Sequence, residues 1–245
     1  AAANKRLKVE EDPKIEKVEG LLPGLNCGAC GFANCRALAE AIVKKEASTA
    51  SCPVGGEHTS KLISDFLGIK AAEVVKRVAL IHCGATQSQR KKKANYVGVE
   101  TCLAASIISN GGLECKYGCL GFGDCAKACP FDAITMVDGL PRVDPAKCTA
   151  CGRCLKACPR NIITLGPFEK KEITFVACSS KDKGTFVRKI CPVGCIACKV
   201  CEKLTEGVFE VKDNLATVNY KKATPKTKWD EAVKKCPTHT ISLLR

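Results

Sequence analysis

Residues 148 to 159 read CTACGRCLKACP, with two, two and three residues between successive cysteines and a proline at the close. That spacing is a ligand run for a cubane 4Fe-4S cluster, in which closely spaced thiolates reach separate corners of one cluster. The chain holds 20 cysteines among 245 residues, most of them in compact runs of this kind. A disulfide scaffold is usually short and secreted and does not need three thiols within about seven residues. Structural zinc sites favour two separated two-cysteine knuckles, often with histidine, and His58, His82 and His239 each stand alone here. Iron–sulfur chemistry is the reading that fits, and thiolate clusters need a reducing compartment, which places the chain on the cytoplasmic side.

The elements that must hold these thiolates can be read around them. The first set, Cys27, Cys30, Cys35 and Cys52, lies in LNCGACGFANCRALAEAIVKKEASTASCPVGGE. Glycines between the first three let backbone amides approach the sulfides. Cys52 follows an apolar-periodic segment containing Leu38, Ala41, Ile42 and Ala47. A helix of about eleven residues rises roughly 16 Å, and an extended return through Ser48 to Ser51 covers a comparable distance. A helix is therefore expected from Ala33 to Ser48, and a second in SKLISDFLG with Leu62, Ile63, Phe66 and Leu67 on one core face.

Residues 114 to 166 resemble a two-cluster ferredoxin, with cysteine-bearing helices alternating with strands such as Ile134 to Val137 and Ile162 to Leu165. Asp138-Gly139 supplies the tight turn of a hairpin between Ala133 and Val143. In such ferredoxins the fourth cysteine of each run serves the other cluster, which assigns Cys148, Cys151, Cys154 and Cys129 to one cube and leaves Cys158 for its neighbour. The neighbour's run, CKYGCLGFGDCAKACP, has Phe122 where the middle ligand belongs. Cys115 is the expected substitute, beside Cys119, Cys125 and Cys158. The run CPVGCIACKVC repeats this register: Cys191 matches Cys115, Cys195 matches Cys119 and Cys201 matches Cys125. Here Cys198 fills the middle position, and KKCPTHTISLL returns a single Cys236. A one-cluster module on Cys195, Cys198, Cys201 and Cys236 follows, with a helix around Trp229 and Val233 filling the space of a lost second cluster. Four cysteines remain, Cys83, Cys102, Cys178 and Cys191. They have two readings, packing as small hydrophobes or holding a fifth cluster, and their wide spacing does not decide between them.

The formal charge of +14 counts every cysteine as neutral. Four filled sites at about −2 each bring it near +6, so the basic excess is largely counter-charge. Aromatic residues make up 5% of the chain, too few to interleave with lysines as in a nucleic-acid surface. Two local basic runs stand out, Arg90 to Lys93 first and Lys181, Lys183, Arg188 and Lys189 second. No run of eighteen apolar residues exists to span a membrane. The opening AAANKRLKVEEDP places Lys5, Arg6 and Lys8 directly after small residues, which reads equally as the positive flank of a membrane anchor or as the start of a soluble protein. GFGDCAKACP contains a Gly-x-Gly, but inside a ligand run and without the strand-to-helix setting of a dinucleotide site.

The ordered combination CGACGFANCRALAEAI, a later CPVGGE, ferredoxin runs and a terminal CPTHTISL is similar to the B subunit of the Rnf complex, RnfB. Members of that family are components of a membrane-bound ferredoxin:NAD oxidoreductase pumping sodium ions or protons. The resemblance implies an N-terminal membrane anchor outside this chain, a place on the cytoplasmic face, electrons received from reduced ferredoxin, and transfer to other Rnf subunits. It also implies that NAD binds elsewhere and that no residue here performs bond chemistry. Longer members carry a further ferredoxin run where this chain lacks cysteines around 205 and 223 to 229. The alternative is a soluble polyferredoxin-type subunit of another multi-component reductase or dehydrogenase. The expected fold is α+β and multi-domain: a tether over 1–20, an N-terminal 4Fe-4S module over 21–70, a connecting segment over 71–113, a two-cluster ferredoxin-like domain over 114–169 and a degenerate single-cluster one over 170–245. At least four 4Fe-4S clusters are expected.

Overall fold

The computed structural model describes residues 12–168 and 172–245, so the basic residues Lys5, Arg6 and Lys8 lie outside the described residues. Two compact units emerge, one reaching to Lys76 and taking in Thr149–Cys151, the other formed by Arg77–Cys148 and Gly152–Arg245. Among the described residues no helix is long and apolar enough to cross a membrane.

The first unit is helical because its apolar residues recur at helical spacing between good caps. Asp12 accepts from the Lys14 amide at 2.9 Å and Pro13 opens helix α1 (Pro13–Leu21). Helix α1 buries Ile15 and Val18 against Leu38, Ala39 and Ile42 of α2 (Cys35–Val43) and Ile63 of α3 (Gly56–Leu67). The second half of the expected tether is thus packed helix. Asn34 caps α2, accepting from the Ala37 amide at 2.7 Å. The helix stops before Ser48, where sequence periodicity carries it, because Lys45 turns left-handed at φ 62°. The return to Cys52 is one tight turn over Thr49–Ser51 rather than an extended strand. The buried face of α3 also differs: Ile63 is buried, but Leu62 and Phe66 are exposed. Ser60 and Ser64 take the inner face because their hydroxyls hydrogen-bond the buried Thr49 at 3.1 and 2.9 Å.

The second unit builds the same motif twice. In the first copy β1 (Arg77–Ile81) pairs antiparallel with β4 (Ile163–Pro167), Ile81 facing Ile163. Between them lie α4 (Cys102–Ile107), α5 (Asp124–Lys127), the hairpin β2 (Ile134–Val137) with β3 (Leu140–Val143), and α6 (Arg153–Ala157). In the second copy β5 (Ile173–Val176) pairs with β8 (Ile241–Leu244) around α7 (Gly184–Ile190), α8 (Val200–Leu204), the hairpin β6 (Phe209–Lys212) with β7 (Leu215–Val218), and α9 (Trp229–Lys234). Asp138 and Gly139 make the first hairpin turn with φ 45° and 63°, as their sequence demands, and Asp213 and Asn214 repeat it with 50° and 60°. β1 falls in the segment read from sequence as a connector, yet it is a full partner in the first copy's sheet.

Strand alternation then divides the core. Ala79 and Ile81 face the cysteines of the first copy, while Val78 and Leu80 pack with Ile173 and Phe175 of the second. Gly166 sits on this seam, where a Cβ would lie 2.5 Å from Leu80 Cδ1 and 2.7 Å from Ile173 Cδ1. Gly166→Ala is therefore expected to overpack the seam and destabilise the protein by about 1–3 kcal/mol. Anaerobic denaturant titration of the iron-loaded protein checks this, and an unchanged midpoint contradicts so close a contact.

Candidate metal centres

None of the twenty cysteines is paired in a disulfide, and Cys198 alone among them is exposed. In the first unit Asn26 accepts from the Cys35 amide at 2.8 Å and so ties the Cys27–Cys30 loop to the start of α2. Cys52 is buried in the helical core, with Cys30 and Cys35 packed against the same cluster of side chains. Burial raises the Cys52 thiol pKa, and Cys30 and Cys35 nearby add to the rise, while the Gly55 amide donates to Cys52 Sγ at 3.3 Å. Cys27 precedes Cys30 by one turn of the same glycine-bearing loop.

In the first copy of the second unit, Cys154 is buried in a core that Cys129 and Cys148 also touch, and the Ala79 amide donates to Cys148 Sγ at 3.4 Å. Cys119, Cys125 and Cys158 line one cavity, which brings Cys158 across to the other run's cysteines. The fourth cysteine of that cavity is Cys102. Cys115, expected there from sequence, instead lines a different cavity. The cause is local. Asp124, one residue before Cys125, accepts from the Leu103 amide at 3.2 Å and draws the start of α4 to the site. Asn110 donates to the Leu113 and Cys115 carbonyls at 2.9 and 3.1 Å, which turns Cys115 away. Arg160 clamps the same loop through the Lys116 carbonyl and Asn110, and its buried Nε, which has no partner, belongs to a side chain lining the Cys102 cavity.

The second copy gathers Cys195, Cys198, Cys201 and Cys236 around one cavity. Its lost second site is filled. Thr205 stands where Cys129 stands in the first copy, donating to the Cys201 carbonyl at 2.8 Å and accepting from the Phe209 amide at 3.1 Å. Trp229 packs edge-on against Phe209 at 5.8 Å and stacks with Tyr220 at 6.5 Å. Of the basic runs, Arg90 is not a surface group: it donates to the Ala85 and Gly139 carbonyls at 3.0 and 2.9 Å. Lys181, Lys183, Arg188 and Lys189 are all exposed.

The donor chemistry fits a thiolate-bound cluster. Burial pushes the Cys119 and Cys125 thiols up to about 12 and Cys201 to about 11. Such thiols ionise at neutral pH only when a metal takes up their charge. Among the described residues no three His, Cys, Asp or Glu side chains come close enough to share a single metal ion.

Three family models match: "Putative Fe-S cluster" over residues 22–54, "4Fe-4S binding domain" over 141–164 and "4Fe-4S single cluster domain of Ferredoxin I" over 190–243. Along 99% of its length the chain is 43% identical to the B subunit of the Na(+)-translocating ferredoxin:NAD(+) oxidoreductase complex of Acetobacterium woodii, covering 72% of that protein. It is 44% identical over 98% of its length to the B subunit of the ion-translocating oxidoreductase complex of Methanosarcina acetivorans, covering 90% of it. The chain belongs to this family of ion-translocating oxidoreductase B subunits. A proton-translocating member from Clostridium ljungdahlii is 38% identical over the full chain and is covered to 86%. As a member of this family the chain is an iron–sulfur protein of α+β architecture, with an N-terminal iron–sulfur module followed by ferredoxin-type domains.

Because Cys52 is both core residue and ligand candidate, Cys52→Ala is expected to remove about four irons and to open residues 27–56 to protease. Iron analysis with limited proteolysis of the holoprotein checks this; full iron content would take Cys52 out of the site.

Proposed function

We propose that this chain is the electron-relay component of a membrane-bound, ion-translocating ferredoxin:NAD oxidoreductase. It accepts electrons from reduced ferredoxin at the cytoplasmic face and hands them to other subunits of the complex. The observation that carries this reading is the likeness along the whole chain to proteins so named, joined to cysteine sets built into both units. The ligand sets it supports are Cys27, Cys30, Cys35 and Cys52; Cys129, Cys148, Cys151 and Cys154; Cys102, Cys119, Cys125 and Cys158; and Cys195, Cys198, Cys201 and Cys236. A bound 4Fe-4S cluster supplies reversible one-electron chemistry, and no bond-making group is needed beside it. The protein's part is to present thiolates, keep water away and aim amides at sulfur, as Ala216 does toward Cys195 at 3.5 Å. Relatives named for sodium ions and for protons are alike at 43% and 38%, so the ion is not assigned by this chain.

The surface offered to ferredoxin is the basic segment leading into and along α7. Its lysines and arginine are exposed beside exposed Phe186, and Gly184 at the head of α7 abuts the Ile196 carbonyl, two residues before exposed Cys198. An acidic partner would thus dock where a ligand cysteine reaches the surface. Reversing Lys181, Lys183, Arg188 and Lys189 to glutamate should slow reduction by ferredoxin about tenfold at low salt, with the difference vanishing as salt screens it. Stopped-flow reduction of the holoprotein reads this. Equal rates at every ionic strength would remove the surface, and no reduction of the parent protein would remove the relay reading.

A further inference from the structure

The two copies of the second unit meet at a cavity whose wall carries Cys83, Cys115, Cys178 and Cys191. None of the four is used by the sets above. We infer that they hold a fifth 4Fe-4S cluster, shared between the two copies. The inference rests on the cluster chemistry of the relay reading and adds a site to it.

The arrangement is a pseudo-twofold one. Cys83 follows β1 by two residues, and Cys178 follows β5 by two. The residue before each anchors the strand in the same way, His82 donating its amide to the Ile162 carbonyl at 2.7 Å and Ala177 to the Thr240 carbonyl at 2.8 Å. Cys115 and Cys191 open the matching segments CKYGC and CPVGC. In each segment the glycine three residues on lies against its own cysteine: a Cβ on Gly118 would stand 3.7 Å from Cys115 Sγ, and one on Gly194 3.5 Å from Cys191 Sγ. Each copy therefore contributes one strand-end thiol and one loop thiol, four ligands from four separate segments.

The amides around the cavity are set for sulfur. The Cys119 amide donates to Cys83 Sγ and the Ser180 amide to Cys178 Sγ, both at 3.4 Å. Backbone hydrogen bonds also reach Cys115 from Tyr117 and Gly118, Cys191 from Val193, and Cys178 from Cys195. Four buried or half-buried thiols with amides aimed at them, around space walled by Val187, Ile190 and Ala177, go unexplained by packing alone. Through Cys119 and Cys195 this wall adjoins a ligand set in each copy.

The test is whether iron losses add. In anaerobically prepared holoprotein, Cys115→Ala and Cys158→Ala should each remove about four irons and the double variant about eight, because the two residues serve different clusters. Cys83→Ala with Cys178→Ala should remove about four and abolish one low-temperature EPR component of the reduced protein. If that pair fails to fold, Cys191→Ala gives the same readout. A double Cys115/Cys158 variant that loses no more than Cys158→Ala, or full iron in the Cys83/Cys178 and Cys191 variants, would overturn the site. Failure of ferredoxin to reduce the parent would overturn the relay reading while leaving these counts standing.

Discussion

Burying a thiol that must become a thiolate is the constraint on which the rest of this structure depends. Burial of Cys52, Cys119, Cys125, Cys178 and Cys201 disfavours their charged form and raises their thiol pKa values. Among the described residues Arg90 lies near Cys119 and Arg160 near Cys115 and Cys158. Iron supplies what the side chains do not. Cysteines belong to the cores of both units, so on the proposed ligation metal binding and folding are one process.

Duplication of a strand–hairpin–strand motif answers the problem of delivering many thiolates from short elements. Helices of four to seven residues, such as α5 and α7, would not persist alone. They are held by the strands outside them and the thiolates inside. Each outer strand works on both faces, Ala79 and Ile81 toward the cysteines and Val78 and Leu80 toward the other copy. Where the second copy has no cysteine to match Cys129, Thr205 makes a hydrogen bond to the Cys201 carbonyl and Trp229 an aromatic stack, which hold that end of the module together.

Much of this is legible in the sequence because cluster ligation is local. The spacing within 148 to 158 and 195 to 201, the Asp138-Gly139 hairpin and the exchange of Cys158 toward Cys119 and Cys125 follow from rules acting over a few residues. What escapes such rules is long-range. Nothing in the spacing says which of Cys102 and Cys115 lines the cavity of Cys119, Cys125 and Cys158, since that placement goes with Asp124 holding Leu103 and Asn110 holding the Cys115 loop. One signal is present. The register that makes Cys191 spare in the second copy makes Cys115 spare in the first, and both line the cavity that Cys83 and Cys178 also line. The apolar count misjudges the α3 face because it overlooks the buried serines bonded to Thr49, and β1 escapes notice because its partner lies about eighty residues away.

The claim that clusters form the cores is tested most directly by hydrogen exchange on the holoprotein before and after anaerobic removal of iron by a chelator. Protection is expected to fall throughout α2, α5, α6 and α8 and at the β1–β4 seam, and to return on reconstitution with iron and sulfide. Protection that survives complete iron removal would show cores standing on packing alone and would contradict it.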